Sequence, residues 1–254
     1  MTKPFLHYYQ LGEEITAFST TRQGGYSEER YGEFNINRYC GDKEEAINHN
    51  RQALCELLSI DDHHLLMPHQ VHLTKIAVVN EKLDANLEGV DALMTNLKEV
   101  CIGVSTADCI PVLLYDRKQQ AVCAIHAGWR GTVQRIVEKA VAKMSAVYGT
   151  KAEDIVAQIG PGIHLESFEV GDEVYQAFET EGFDMEAISK KYEKWHIDLP
   201  ECNRLQLLST GIPAHQITVS PICTFQQSDT FFSARKLGIQ SGRIFTGIIL
   251  RRKD

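Results

Sequence analysis

Apolar residues recur along this chain with two periods, and those periods divide it into helices and strands. Between residues 132 and 148, Val133, Ile136, Val137, Ala140, Val141, Met144, Val147 and Tyr148 fall at the i, i+3, i+4, i+7 spacing of one helix face. Gly149 stands where a helix C-terminal glycine belongs. A second helix is expected over Glu44–Leu58, with Asp42 as its N-cap and Ile47, Ala53, Leu54, Leu57 and Leu58 turned inward. A third, over residues 201–210, is bracketed by Pro200 and Gly211. Residues 172–194 read as helical, charged and peripheral.

Short apolar or β-branched runs mark the strands: residues 5–9, 16–20, 74–79, 90–94, 100–105, 112–115, 121–125, 156–159, 217–219 and 243–250. Strands outnumber helices and the two are interspersed, without an internal repeat, linker or low-complexity segment. The class is therefore mixed α/β, or α+β, with residues 1–254 as a single domain.

Composition adds little beyond the class. At 254 residues, 43% hydrophobic and 24% charged, the chain can bury a sizeable core. A formal charge of −8 argues against a non-specific nucleic-acid or anionic-membrane binder. No apolar run has the length of a membrane span, and the first residues lack the apolar stretch of a secretory signal. Seven cysteines without a framework spacing point to reduced thiols and a cytoplasmic setting. A monomer or weak homo-oligomer is expected.

The chemistry sits where strands end. The run Ala121 to Ile125 delivers His126-Ala127-Gly128-Trp129-Arg130-Gly131, placing Arg130 just ahead of the helix expected from residue 132, where free N–H groups favour anions. Thr106-Ala107-Asp108-Cys109 occupies a turn between two apolar strands, where a cysteine is either exposed at a sheet end or packed. Pro68-His69-Gln70-Val71-His72 precedes a strand; in an extended segment its two histidines point to opposite sides. The loop Thr20 to Ser27 combines a glycine pair with Arg22, which serves a tight turn or an anion cradle. Taken together, His72, Cys109 and His126 are two imidazoles and a thiol, a set that suits Zn²⁺ with a fourth position open. They stand far apart in sequence, unlike the close pairs of structural zinc sites, so the fold must assemble them.

These runs resemble the laccase-domain family, also called the multicopper polyphenol oxidase-like or YfiH family, whose members are described as purine nucleoside phosphorylases. The resemblance extends nearly end to end. It runs through Phe18 to Arg22 with Gly24-Gly25, Gln70-Val71-His72, Asp91-Ala92-Leu93, the two long motifs above, Ile159-Gly160-Pro161 and Phe232-Ser233-x-Arg235. It implies a layered α/β/β/α fold and zinc held by His72, Cys109 and His126. It also implies phosphorolysis of adenosine, inosine, guanosine and methylthioadenosine, with adenosine deaminase activity; that is both transferase and hydrolase chemistry. Deamination needs an acid/base, for which Asp108 or His69 is the candidate beside Cys109. Phosphate needs arginines, for which Arg22, Arg130 and Arg235 are the candidates, with Gln70 as a further substrate contact. Two positions depart from the family pattern: Leu73 stands where a glycine often follows the histidine, and Gly162 replaces a cysteine.

Two other functions compete. A metal-free cysteine hydrolase would use Cys109 as nucleophile and His126 as base. A copper polyphenol oxidase is the weaker alternative, because such enzymes use four coppers and H-x-H pairs. This chain has 10 histidines and no such pair.

Overall fold

The computed structural model describes residues 3–252. The chain opens with strands β1 (Leu6–Tyr9) and β2 (Ile15–Thr20), then helix α1 (Glu44–Leu58). Strands β3 (Leu65–Leu66), β4 (Ile76–Val78), β5 (Ala92–Thr95), β6 (Cys101–Thr106), β7 (Ile110–Asp116) and β8 (Ala121–Ala127) follow. Helices α2 (Trp129–Val133) and α3 (Ile136–Tyr148) lead into β9 (Ile155–Ile159) and β10 (Glu169–Val170). Next come α4 (Asp172–Thr180), α5 (Met185–Ile188), β11 (Ser189–Lys191) and β12 (Trp195–Ile197). The chain closes with α6 (Leu199–Ser209), β13 (Ile217–Val219), α7 (Ala234–Leu237) and β14 (Ile244–Leu250).

Two sheets dominate. One has the order β1-β2-β14-β6-β3, antiparallel except where β3 joins β6. The other has the order β13-β9-β7-β8-β5-β4, antiparallel inside and parallel at its two edges. Strand alternation sorts side chains between layers. Leu113 and Tyr115 of β7, with Val122 and Ala124 of β8, pack on Ile102, Val104 and Ile248 of the facing sheet. Their neighbours Val112, Leu114, Cys123 and Ile125 point the other way, onto Ile136, Val137, Ala140 and Met144 of α3. On the far side, Leu54, Cys55 and Leu58 of α1 cover Phe18, Phe245 and Ile249. The result is the layered α/β/β/α arrangement, and it explains why β7 and β8 are buried along their whole length. Gly103 and Gly247 pair across β6 and β14, and a Cβ on either would strike the Phe245 ring, which fills both gaps. No helix among the described residues is long and apolar enough to cross a membrane.

Several local expectations need correction. Helix α1 has the expected bounds, but Asp42 does not cap it; its carboxylate accepts from Ser27 Oγ at 2.6 Å and Asn35 Nδ2 at 2.9 Å. Leu57 is exposed, while Asn50 and Arg51 are buried to make hydrogen bonds under the neighbouring loops. The helix expected over 132–148 starts early, at Trp129, and breaks at Arg135, whose φ of 62° is left-handed. Apolar periodicity continues through that break, so the pattern did not mark it. Gly149 does close α3, with φ 73° and its N–H on Ser145 O. Segment 172–194 is helical in α4 and α5 but ends in strand: β11 pairs with β12, which pairs with β10. After residue 231 the chain forms α7, which Ser233 caps by accepting from Lys236 N.

Candidate active site

One end of the six-stranded sheet gathers the chemistry. His126 lies near the end of β8, opposite Pro111 of β7. The turn between β6 and β7, with Asp108 at φ 86°, brings Cys109 to the same edge. His72 arrives from the loop between β3 and β4, itself at φ 61°. The ligand atoms of His72, Cys109 and His126 all lie within 4.8 Å of one another. His126 is buried, Cys109 half-buried and His72 exposed, so the group opens to solvent on one side.

Gly128 keeps that space clear. A Cβ there would lie 3.1 Å from Cys109 Sγ, 3.2 Å from His72 Cδ2 and 3.6 Å from His126 Nε2. A side chain at this position would enter the space between the three groups. The glycine thus serves the site as well as the turn.

Asp91 holds the arrangement from behind. It is fully buried, and its Oδ1 pairs with His126 Nδ1 at 2.8 Å while accepting from His72 N at 2.9 Å. Its Oδ2 accepts from Leu73 N at 2.9 Å. One carboxylate therefore orients one imidazole and fastens the backbone that carries the other. With Nδ1 committed, His126 offers Nε2 to the cluster. The same contacts explain Leu73: the left-handed residue in this turn is His72, so no glycine is needed after it.

The charges follow from the geometry. Burial pushes the Cys109 thiol up, but His126 and His72 outweigh it and hold the thiol at about 6. Burial disfavours charge on His126, yet Cys109 and Asp91 raise it to about 9. Asp91 stays below its usual value, since His126 and the two backbone N–H groups overcome its burial. A thiol ready to ionise, one imidazole oriented by Asp91, a second whose backbone Asp91 fastens, and a cleared centre fit zinc.

A cavity of about 360 Å³ brings His69, Gln70, His72, Cys109, His126 and Arg130 together. The His69 Nδ1 is 2.6 Å from Glu88 Oε1, and its ring stacks on Tyr39 with centroids 4.1 Å apart. Gln70 uses its amide to bridge Ser105, donating to its carbonyl at 2.8 Å and accepting from its N–H at 2.7 Å. The Arg130 guanidinium lies 4.3 Å from the Trp129 ring, and no hydrogen bond to a described residue engages it.

Three expected contributors lie elsewhere. Arg22 lines a different cleft, where Nε donates to Gly32 O at 2.9 Å and Nη1 to Ser228 O at 2.8 Å. Arg235 gives both terminal nitrogens to Glu169 O at 3.1 Å. Asp108 has both oxygens engaged, by Thr224 Oγ1 and by Arg235 N, each at 2.7 Å. These side chains tie loops together instead of facing the cavity. Sequence reading missed the role of Asp91, although it stands in the Asp91-Ala92-Leu93 run, and missed Asn37 and Arg243, which also line the cavity. Nothing in the chain pattern marks those two.

Fold and site define a four-layered α/β/β/α protein with an open His₂Cys pocket at one sheet end. The chain belongs to the family described as multi-copper polyphenol oxidoreductase laccase, whose model matches residues 16–251. It is 47% identical to a purine nucleoside phosphorylase of Bacteroides thetaiotaomicron, over 98% of this chain and 97% of that one. It is 42% identical to adenosine deaminase RL5 from an unknown prokaryotic organism, over 96% and 97%. Among solved structures it resembles the Bacillus licheniformis hypothetical protein YfiH, with TM-score 0.92 and 30% identity over 98% and 97% of the two chains.

Proposed function

We propose that this chain is a zinc enzyme of purine nucleosides, cleaving them with phosphate and deaminating adenosine in the same pocket. The convergence of His72, Cys109 and His126 beside His69 and an unengaged Arg130 carries this reading. Relatives named for each of the two activities support it. The substrates are adenosine, inosine, guanosine and methylthioadenosine, with inorganic phosphate. Zinc held by the three side chains would supply Lewis acidity and a water of lowered pKa at its open position.

The remaining work falls to the chain's own groups. Arg130 binds phosphate through its planar fork, with Trp129 backing it. Phosphate oxygen forms the new bond to the ribosyl C1′ as the bond to the purine nitrogen breaks, and its electron pair leaves with the base. His69, its Nδ1 held by Glu88, supplies the proton at Nε2 to that nitrogen. In deamination a water oxygen forms the new bond to purine C6, the bond from C6 to the amino nitrogen breaks, and His69 Nε2 protonates that nitrogen so that it leaves as ammonia. The chain's seven free thiols fit a reducing compartment, and we place it in the cytoplasm.

The test is product analysis with the two co-substrates varied. Inosine with phosphate should yield hypoxanthine and ribose 1-phosphate, and omission of phosphate should stop it. Adenosine should yield inosine until zinc is chelated, and again when zinc is restored. Failure to release any base or ammonia would overturn the reading. The pairing of Cys109 with His126 favours one competitor, a metal-free cysteine hydrolase. Under that reading chelation leaves both activity and Cys109 alkylation untouched. A multicopper oxidase is less favoured. Among the described residues a single group of three metal-capable side chains comes together, where that chemistry uses four coppers.

A further inference from the structure

We infer that Asn37 and Arg243 join Arg130 in an anion subsite of this pocket, and that its ligand is the inorganic phosphate of the proposed phosphorolysis. The inference rests on that reading for the identity of the anion, and on the geometry for the site. Asn37 lines the cavity although it is only 8% exposed. Its Oδ1 is taken, accepting from Tyr39 N at 2.6 Å. That bond fixes the amide: a flipped group would set its NH₂ against another N–H. The Nδ2 end of this cavity-lining residue is left with two donors, and no described residue accepts from it.

Arg243 stands next to it for a structural reason. Asn35 Oδ1 accepts from Asn37 N at 3.2 Å and from Arg243 N at 3.1 Å, so one buried side chain sets both backbones. The Arg243 guanidinium is braced from behind by the carbonyls of Ser241 at 2.6 Å, Gly242 at 3.0 Å and Ile239 at 2.8 Å. Those carbonyls hold the group in place and leave its charge uncompensated by any carboxylate on the cavity wall.

The wall itself selects the sign of the ligand. The chain carries 34 acidic residues against 26 Lys and Arg, yet the cavity lining holds two arginines and no Asp or Glu. An amide with unspent donors and two guanidinium groups in one cavity lining suit the oxygens of a tetrahedral dianion. A neutral nucleoside could accept hydrogen bonds here but would gain none of the attraction between opposite charges. The subsite also differs from the set expected from the sequence, because Arg130 and Arg243 line this cavity and Arg22 and Arg235 do not.

Calorimetric titration of the zinc-loaded protein with inorganic phosphate tests the subsite without turnover. Asn37→Asp is isosteric and keeps the acceptor for Tyr39 N, but sets a carboxylate where the donors were. It should weaken phosphate binding at least about tenfold while zinc content is unchanged, and Arg243→Met should do likewise. The KM for phosphate should rise in parallel. Unchanged phosphate binding in Asn37→Asp, or no binding by the unaltered protein, would overturn the subsite. Phosphate binding that the variants weaken, without any nucleoside cleavage, would keep the subsite and refute phosphorolysis instead. Nucleoside cleavage with unaltered phosphate dependence in Asn37→Asp would do the reverse.

Discussion

Arg22 and Arg130 look interchangeable in the sequence, since each follows a small or glycine-containing turn and each is a natural phosphate ligand. In the fold they differ completely. Arg22 is half-buried, donates to two backbone carbonyls and sits near Glu33 and Asp229. Arg130 rests on an indole face with its donors unspent, in a cavity whose wall carries no carboxylate. An arginine is placed to bind an anion when it lines a cavity and no carboxylate there already matches its charge. Residue type cannot tell these cases apart; the partners can.

The largest effect expected on that comparison is at Arg130. Arg130→Met keeps the apolar stem over Trp129 and removes the fork. Losing charge-assisted hydrogen bonds of about 1.5–3 kcal/mol should raise the KM for phosphate roughly 10- to 100-fold, with little change in melting temperature. If phosphate dependence is unchanged, the contrast with Arg22 fails at its stronger member.

The pocket's half of the contrast also depends on Asp91. Asp91→Asn keeps an acceptor but loses the charge that faces His126 and two backbone N–H groups. Zinc affinity, measured by competition with a chromophoric chelator, should fall about 10- to 100-fold. Affinity within a factor of two of the unaltered protein would show that Asp91 serves folding alone.

Arg22 should give the smallest functional effect. Arg22→Met should leave the KM for phosphate within about twofold, while lost carbonyl contacts at a half-buried position destabilise the fold by about 1–2 kcal/mol. A large rise in the phosphate KM without loss of stability would erase the distinction.

The legible parts of this molecule are those set by local pattern or by unusual chemistry. Helix α1 has the bounds that its sequence predicts, and Gly149 ended α3 as a left-handed C-cap should. His72, Cys109 and His126 stood out because imidazoles and thiols at strand ends are rare and chemically loaded. What was hidden depends on distant partners. Arg135 breaks a helix whose apolar periodicity runs on unbroken. Residues 189–197 look too charged for strand, yet they pair into a small sheet. Asn37 and Arg243 meet only through Asn35, across most of the chain's length. Asp91 is an ordinary aspartate until β5 and the His72 loop close around it.

The most direct test of the central claim is elemental analysis of freshly purified protein, beside its Cys109→Ser variant. One zinc per chain is expected in the unaltered protein. The variant should lose it, because a hydroxyl replaces the thiolate of the His₂Cys set. Several coppers per chain, or no metal in a protein that still turns over nucleosides, would contradict the account.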